Sequence, residues 1–273
     1  MPRIKVGIVG CGTIGSYLAL FVSRKLKRSV ELSGLYDIEP SRARALSRKA
    51  CSSERLAVAD LKKLIARSRL VIESAGASGV LAVAREALKA GRDVMIMSTG
   101  GISGHIKEIT RLAQMHSAKV YIPSGAIAGI DAVKAACLGG IESVTLVTTK
   151  NPGSFARSAY LQSKKIDPRK IRKDTVLFSG TAKEAVKHFP QNINVAAVLG
   201  LAGVGAARTR VKIIASPAAR SNTHQITVSC RAGTISATTQ NVPHPTNPKT
   251  SFLAALSAAA TLQKIAEPVV IGT

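Results

Sequence analysis

The 273-residue chain is 46% hydrophobic and has no Trp, so Ala, Val, Ile and Leu must fill its core, which suits a layered α/β protein with a largely parallel sheet. Its net charge of +24 is spread along the chain without a long basic run or tail, and few aromatic residues are available for stacking on bases; this argues for a basic, solvated surface and an anionic small substrate, and against nucleic acid as partner. Cys11, Cys51, Cys137 and Cys230 form no C-x-x-C pair, which leaves zinc and thioredoxin-type chemistry without support and suits free thiols in the cytoplasm.

The chain enters directly into an apolar strand at residues 3–9, so no secretory signal is expected. Gly10-Cys11-Gly12-Thr13-Ile14-Gly15 follows, and then a helix to about residue 27. Strand, G-x-G-x-x-G and helix are the opening of a dinucleotide-binding βαβ unit, with the glycines, Thr13 and Ile14 at the pyrophosphate. A second strand, residues 30–37, ends in Asp37, about twenty residues on, where an acid accepts hydrogen bonds from a ribose hydroxyl. Arg42 and Arg44 lie just beyond and are within reach of a 2′-phosphate, so NAD and NADP both stay open.

Residues 41–50 and 61–66 read as helices, 69–76 as a buried strand ending in small residues, and 93–98 as a strand running into Thr99-Gly100-Gly101. A helix at 106–117 and a strand at 119–122 complete a doubly wound sheet. The texture changes at Pro123-Ser124-Gly125-Ala126-Ile127, which marks a domain boundary and leads into an apolar helix ending near Leu138. Beyond it, 143–149 reads as a strand, 151–173 as a polar, basic surface excursion, 183–188 as a short helix and 192–206 as a small-residue helix. The apolar run 195–207 is short for a membrane span and rich in glycine, so no membrane association is expected. Strands at 209–215, 225–232 and 233–240 form a second sheet; a loop with three prolines spans 241–249, and a helix at 251–266 closes the chain.

Of five histidines, His224 is the candidate acid or base, because a polar loop enters a strand there and imidazole titrates near neutrality. Phe189-Pro190-Gln191-Asn192-Ile193-Asn194 places amides at the start of a buried helix, one to cap it and one to face a nicotinamide. Lys249, Thr250 and Ser251, at the start of the last helix, are suited to grip a carboxylate. No metal site is expected.

Taken together, Gly10-x-Gly12-x-x-Gly15, Pro123-Ser124-Gly125-Ala126-Ile127, Phe189-Pro190-Gln191-Asn192-x-Asn194, Asn222-x-His224 and Asn247-Pro248-Lys249-Thr250-Ser251 resemble the L-aspartate dehydrogenase family over essentially the whole chain. The resemblance implies NAD(P)-dependent oxidation of L-aspartate to iminoaspartate, reversible as reductive amination of oxaloacetate and feeding NAD biosynthesis. It further implies His224 as the active-site residue, Ala126 and Asn194 as cofactor contacts, and a homodimer assembled through the second domain. On that basis, residues 1–124 form a Rossmann domain, 125–247 a second α/β (α+β) catalytic and dimerisation domain, and 248–273 a helix packing back toward the first. One departure stands out: the family usually has Ala-Asp-Pro where this chain has Ala215-Ser216-Pro217. Other uses of the scaffold are a dihydrodipicolinate-type reductase and a nucleotide-sensing protein without catalysis. A semialdehyde dehydrogenase, which needs an activated Cys with a His partner, is disfavoured because Cys137 lies in an apolar helix with no evident base.

Overall fold

The computed structural model describes residues 2–156, 158–189 and 194–272, with the side chains of all but Pro248 and Lys249. Two compact units form, one running up to Pro123 and including Ala255–Ile271, the other comprising Ser124–Ala254.

In the first unit, β1 (Ile4–Val9), β2 (Val30–Tyr36), β3 (Leu70–Glu73), β4 (Asp93–Ile96) and β5 (Val120–Tyr121) make a parallel sheet in the order β2-β1-β3-β4-β5. Successive strand side chains alternate between faces, and both faces are apolar. On one side Val6, Ile8, Leu70, Ile72 and Met95 pack with Leu18, Ala19 and Val22 of α1 (Thr13–Lys25) and Ala43 and Leu46 of α2 (Pro40–Cys51). Ala258, Ala259 and Leu262 of the last helix join the same cluster. On the other side Val9, Val71, Val94 and Ile96 pack with α3 (Leu61–Arg67), α4 (Val80–Lys89) and α5 (Ile106–Met115). The chain leaves β1 for β2 on one side and crosses to β3 on the other, so the ends of β1 and β3 flank the point where the winding reverses. That is where doubly wound sheets bind ligands.

The second unit opens with α6 (Ile130–Gly139) and β6 (Ile141–Lys150). After a 3-10 turn at Pro152–Phe155 come α7 (Ala159–Ser163), β7 (Thr175–Thr181), α8 (Ala182–His188), α9 (Asn194–Ala202), β8 (Thr209–Ala215), β9 (Asn222–Cys230) and β10 (Gly233–Asn241). The sheet order is β10-β9-β6-β8-β7, with β6 antiparallel to β9 and parallel to β8. One face is buried: Val144, Leu146, Val211, Ile213, Ile226 and Val228 pack with Val133, Ala182, Ala185, Ala196 and Leu199 from the helices. Truncating one of the larger of these to Ala costs about 2–5 kcal/mol. Besides β7, which the sequence pattern does not announce, two segments differ from their sequence expectation. The excursion after β6 is anchored by Phe155 and Leu161, both 1% exposed. The proline-rich loop folds into a ribbon of β11 (Pro243–His244) and β12 (Asn247–Ser251), directly before α10 (Phe252–Ala266). Among the described residues no helix is long and apolar enough to cross a membrane.

Candidate functional site

The glycine turn is built by three different demands. Gly10 has φ +91°, and a Cβ there would lie 2.5 Å from the Ser74 carbonyl oxygen. A Cβ on Gly15 would overlap the Gly10 carbonyl oxygen, so α1 can seat on the turn only without one. Gly12 is different: a Cβ there would meet nothing within 4 Å. The first and third glycines are therefore required by the fold, while the second keeps open space beside the helix N-terminus. Gly12 gives α1 no side-chain cap, and Thr13 and Ile14 begin the helix. Open space at an uncapped helix N-terminus fits a pyrophosphate.

Asp37 is buried at the end of β2, where its Oδ2 accepts the Cys11 N–H at 2.7 Å and its Oδ1 the Glu39 N–H at 2.9 Å. It fixes the turn, and its carboxylate retains lone pairs for a ribose hydroxyl. Of the alternative phosphate ligands, Arg42 pairs with Glu39 at 2.9 Å and Arg44 with Glu54 at 3.9 Å. Burial, and then the Asp37 charge, push the Cys11 thiol up to about 12, which makes it an inert spacer.

Sequence alone does not single out Glu73. It is fully buried at the end of β3, where its Oε1 accepts from the Ser98 hydroxyl at 2.8 Å and the Ala75 and Gly76 N–H groups at 2.8 and 3.1 Å. Its Oε2 accepts the Ser98 N–H at 3.1 Å. Burial raises its pKa and these donors oppose the rise. Ser74 donates to the Val9 and Gly10 carbonyls, so the ends of β1, β3 and β4 are tied together around the turn.

In the second unit the buried face of β6 runs Val144, Leu146, Thr148, Lys150. It is apolar for most of its length and polar at the end. Thr148 lies opposite His224 of β9, and its Oγ1 is 3.0 Å from His224 Nδ1. His224 is 3% exposed and Lys150 8%. Burial, and secondly the charge of Lys150, lower the His224 pKa to about 3. Burial lowers Lys150 to about 8. The expected ring titrating near neutrality is thus a ring held neutral, because burial and then the adjacent Lys150 charge disfavour its cation.

Ala126 is buried in the turn ahead of α6. Its carbonyl accepts the Thr239 hydroxyl at 2.8 Å and the Asn241 amide at 2.9 Å. Thr239 is the register partner of His224, so one β10 residue adjoins both. Gly129 takes φ +79° and would place a Cβ 3.3 Å from Ala237 and Ile226, which lets the turn settle on β9 and β10. The Asn241 Oδ1 is buried with no hydrogen-bond partner among the described residues. Asn194 is exposed as the first residue of α9; Gln191 and Asn192 of the same segment lie outside the described residues. Thr250 and Ser251 are half-buried at the end of β12, and the Lys249 side chain lies outside the description. Ser216 is buried past β8, and its N–H donates to the Lys150 carbonyl at 2.9 Å. The other histidines have structural surroundings: His188 packs on Tyr160, His244 on Phe252, His105 lies 3.5 Å from Glu108, and His116 ends α5. Among the described residues no group of three or more His, Cys, Asp and Glu could hold a metal.

No motif marks Thr148 or Lys150, yet the alternation Val144-x-Leu146-x-Thr148-x-Lys150 puts a lysine on the buried face of a strand, and that pattern is visible in the sequence.

Residues 131–265 match the family model described as aspartate dehydrogenase, C-terminal, and residues 10–123 match that of the homoserine dehydrogenase NAD-binding domain. The chain is 45% identical to an L-aspartate dehydrogenase of Methanosarcina acetivorans, over 99% of this chain and 100% of that one. It is 41% identical to that of Methanothermobacter thermautotrophicus over 100% of both chains. Among solved structures, an aspartate dehydrogenase from Thermotoga maritima shares the fold with TM-score 0.72 at 24% identity, covering 99% of this chain and 100% of that one.

Proposed function

The chain belongs to the L-aspartate dehydrogenase family, and from that premise we propose that the polar end of its second sheet carries the chemistry. The protein oxidises L-aspartate to iminoaspartate with NAD or NADP. The bound nicotinamide supplies the hydride acceptor. Every other requirement falls on side chains of this chain. The open space at Gly12 and the start of α1 suit the pyrophosphate, with Thr13 and Ile14 beside it, and Asp37 suits the ribose. Ala126 and Asn194 take the nicotinamide end, a role supported by the family resemblance and by the two donors that fix the Ala126 carbonyl.

The single observation that carries the catalytic assignment is the buried His224 ring, held at Nδ1 by Thr148 on an otherwise apolar sheet face. A fixed, neutral imidazole offers Nε2 as a hydrogen-bond partner that orients the substrate amine and the water that adds to the imine carbon. Lys249, Thr250 and Ser251 supply the cation and hydroxyls for the substrate carboxylates. The net charge of +24 favours the approach of a dianion. Ser216, where the family usually carries Asp, leaves one fewer negative charge near that dianion.

The test is to mix purified protein with L-aspartate and either NAD or NADP and follow absorbance of the reduced cofactor. Aspartate-dependent reduction with at least one cofactor is expected. Calorimetric binding of cofactor without any reduction would overturn the assignment in favour of a nucleotide sensor.

We further place the imine product at the entry to NAD biosynthesis and the enzyme in the cytoplasm. The active form in this account is a homodimer joined through the second sheet, whose uncovered face carries half-exposed Thr145, Val147 and Thr149. Light scattering that returns a monomer mass would contradict the dimer.

A further inference from the structure

We propose that Lys150 is a second catalytic residue, whose side-chain amine accepts the proton of the substrate α-ammonium, with His224 as its fixed neutral neighbour. This rests on the aspartate-oxidising function above. Hydride cannot usefully leave a carbon that bears an ammonium group, because the nitrogen needs its lone pair to form the C=N bond. In the step proposed, an N–H bond of the substrate ammonium breaks, its electron pair stays on nitrogen, and the proton bonds to Lys150 Nζ. The Cα–H bond then breaks with its electrons passing to the oxidised nicotinamide, the nitrogen lone pair closes the C=N bond, and Lys150 later returns its proton to water.

Geometry leads to this residue. Lysine is among the side chains least often buried, yet Lys150 occupies the core-facing position at the end of β6, continuing the series Val144, Leu146, Thr148. An apolar residue there would only extend the core. Its register partner on β8 is Ala215, a small side chain beside a long one. Two residues earlier on the same face, Thr148 pairs with His224 in register and by hydrogen bond. The titratable neighbour on β9 is therefore His224. On the helices over this face Asp131 and Lys134 of α6 and Lys183, Glu184 and Lys187 of α8 are exposed, half-buried His188 of α8 packs on Tyr160, and α9 has no titratable group.

The chemistry agrees with the placement. A ring whose pKa lies near 3 is too weak a base to deprotonate an alkylammonium, whereas an amine brought to about 8 is close to the substrate in proton affinity and partly neutral near physiological pH. The lysine charge also keeps the ring neutral, so the two groups have distinct tasks.

The test compares Lys150→Met and Lys150→Arg with the wild type, reading kcat, KM for L-aspartate, the pH profile of kcat/KM, cofactor affinity by calorimetry, and rescue by methylamine or ethylamine. Met is apolar and of similar length, so the variant is expected to fold. Its kcat should fall about 100-fold or more with cofactor affinity unchanged. Its acid limb in kcat/KM should disappear, and added primary amines should restore part of the rate. Arg should not restore it. Wild-type kcat in Lys150→Arg would overturn the proposal and leave a simple cationic contact, and Lys150→Met with undiminished kcat, or one insensitive to added amines, would overturn it as well. If the wild type itself fails to reduce cofactor with aspartate, the function above falls before Lys150 is tested.

Discussion

Burying His224 ties the stability of the second unit to pH. The folded ring has a pKa near 3 against an ordinary 6.5. Below pH 6.5 the unfolded chain takes up a proton on this residue and the folded chain does not, so the unfolded state binds more protons and unfolding becomes easier as pH falls. The contribution is complete above the ordinary pKa and is lost progressively toward the folded one, at about 1.4 kcal/mol per pH unit and about 5 kcal/mol over the whole interval. His224→Gln keeps an amide able to meet Thr148 but cannot titrate, so it removes this slope. Urea unfolding at unit steps from about pH 7 to about pH 4 gives the comparison, with carboxylates common to both chains cancelling in the difference. The wild type should lose stability relative to the variant by about 1 kcal/mol or more per unit of acidification. Parallel curves would show that the ring takes up its proton without unfolding, and would refute its enclosure. Lys150→Met removes the charge beside the ring and should raise its pKa, visible as an upward shift in the proton titration of the imidazole by NMR.

The glycine turn predicts opposite outcomes for neighbouring positions. Gly12→Ala should leave urea stability within about 1 kcal/mol of wild type while weakening cofactor binding, because its methyl fills the space kept for phosphate. Gly15→Ala should destabilise the first unit by about 3 kcal/mol or more, because its methyl overlaps the Gly10 carbonyl; equal stability for the two variants would contradict this division. Asn241→Ala removes one of the donors that hold Ala126 and should cost about 1–2 kcal/mol with a several-fold loss of cofactor affinity by calorimetry, and an unchanged affinity would separate the Ala126 turn from cofactor binding.

What the sequence discloses follows the length scale of the interaction. The first sheet is legible because its strands are apolar runs alternating with helices, and because the turn's glycines, Asp37 and the intervening helix lie within about thirty residues of one another. Strand β7 escapes notice because a register shift between Val176 and Phe178 breaks its alternation, leaving Leu177 and Phe178 buried side by side while Val176 is exposed. Phe155 and Leu161 are single apolar residues in a basic stretch, and only the folded chain shows that they anchor it. Prolines hide the β11–β12 ribbon in what composition presents as a loop. His224 is marked by its motif, but its state is not, since the groups that set it come from β6, with Thr148 76 residues away in sequence. Glu73 is hidden for the same reason, since its partner Ser98 is 25 residues on.

In the proposed mechanism the fixed imidazole on the second sheet serves the chemistry and leaves cofactor binding to the glycine turn. The most direct measurement is aspartate-dependent cofactor reduction by His224→Asn alongside its cofactor affinity. The proposed role of His224 requires a kcat lower by about 100-fold or more with cofactor affinity unchanged. Aspartate oxidation at the wild-type rate in that variant would contradict it.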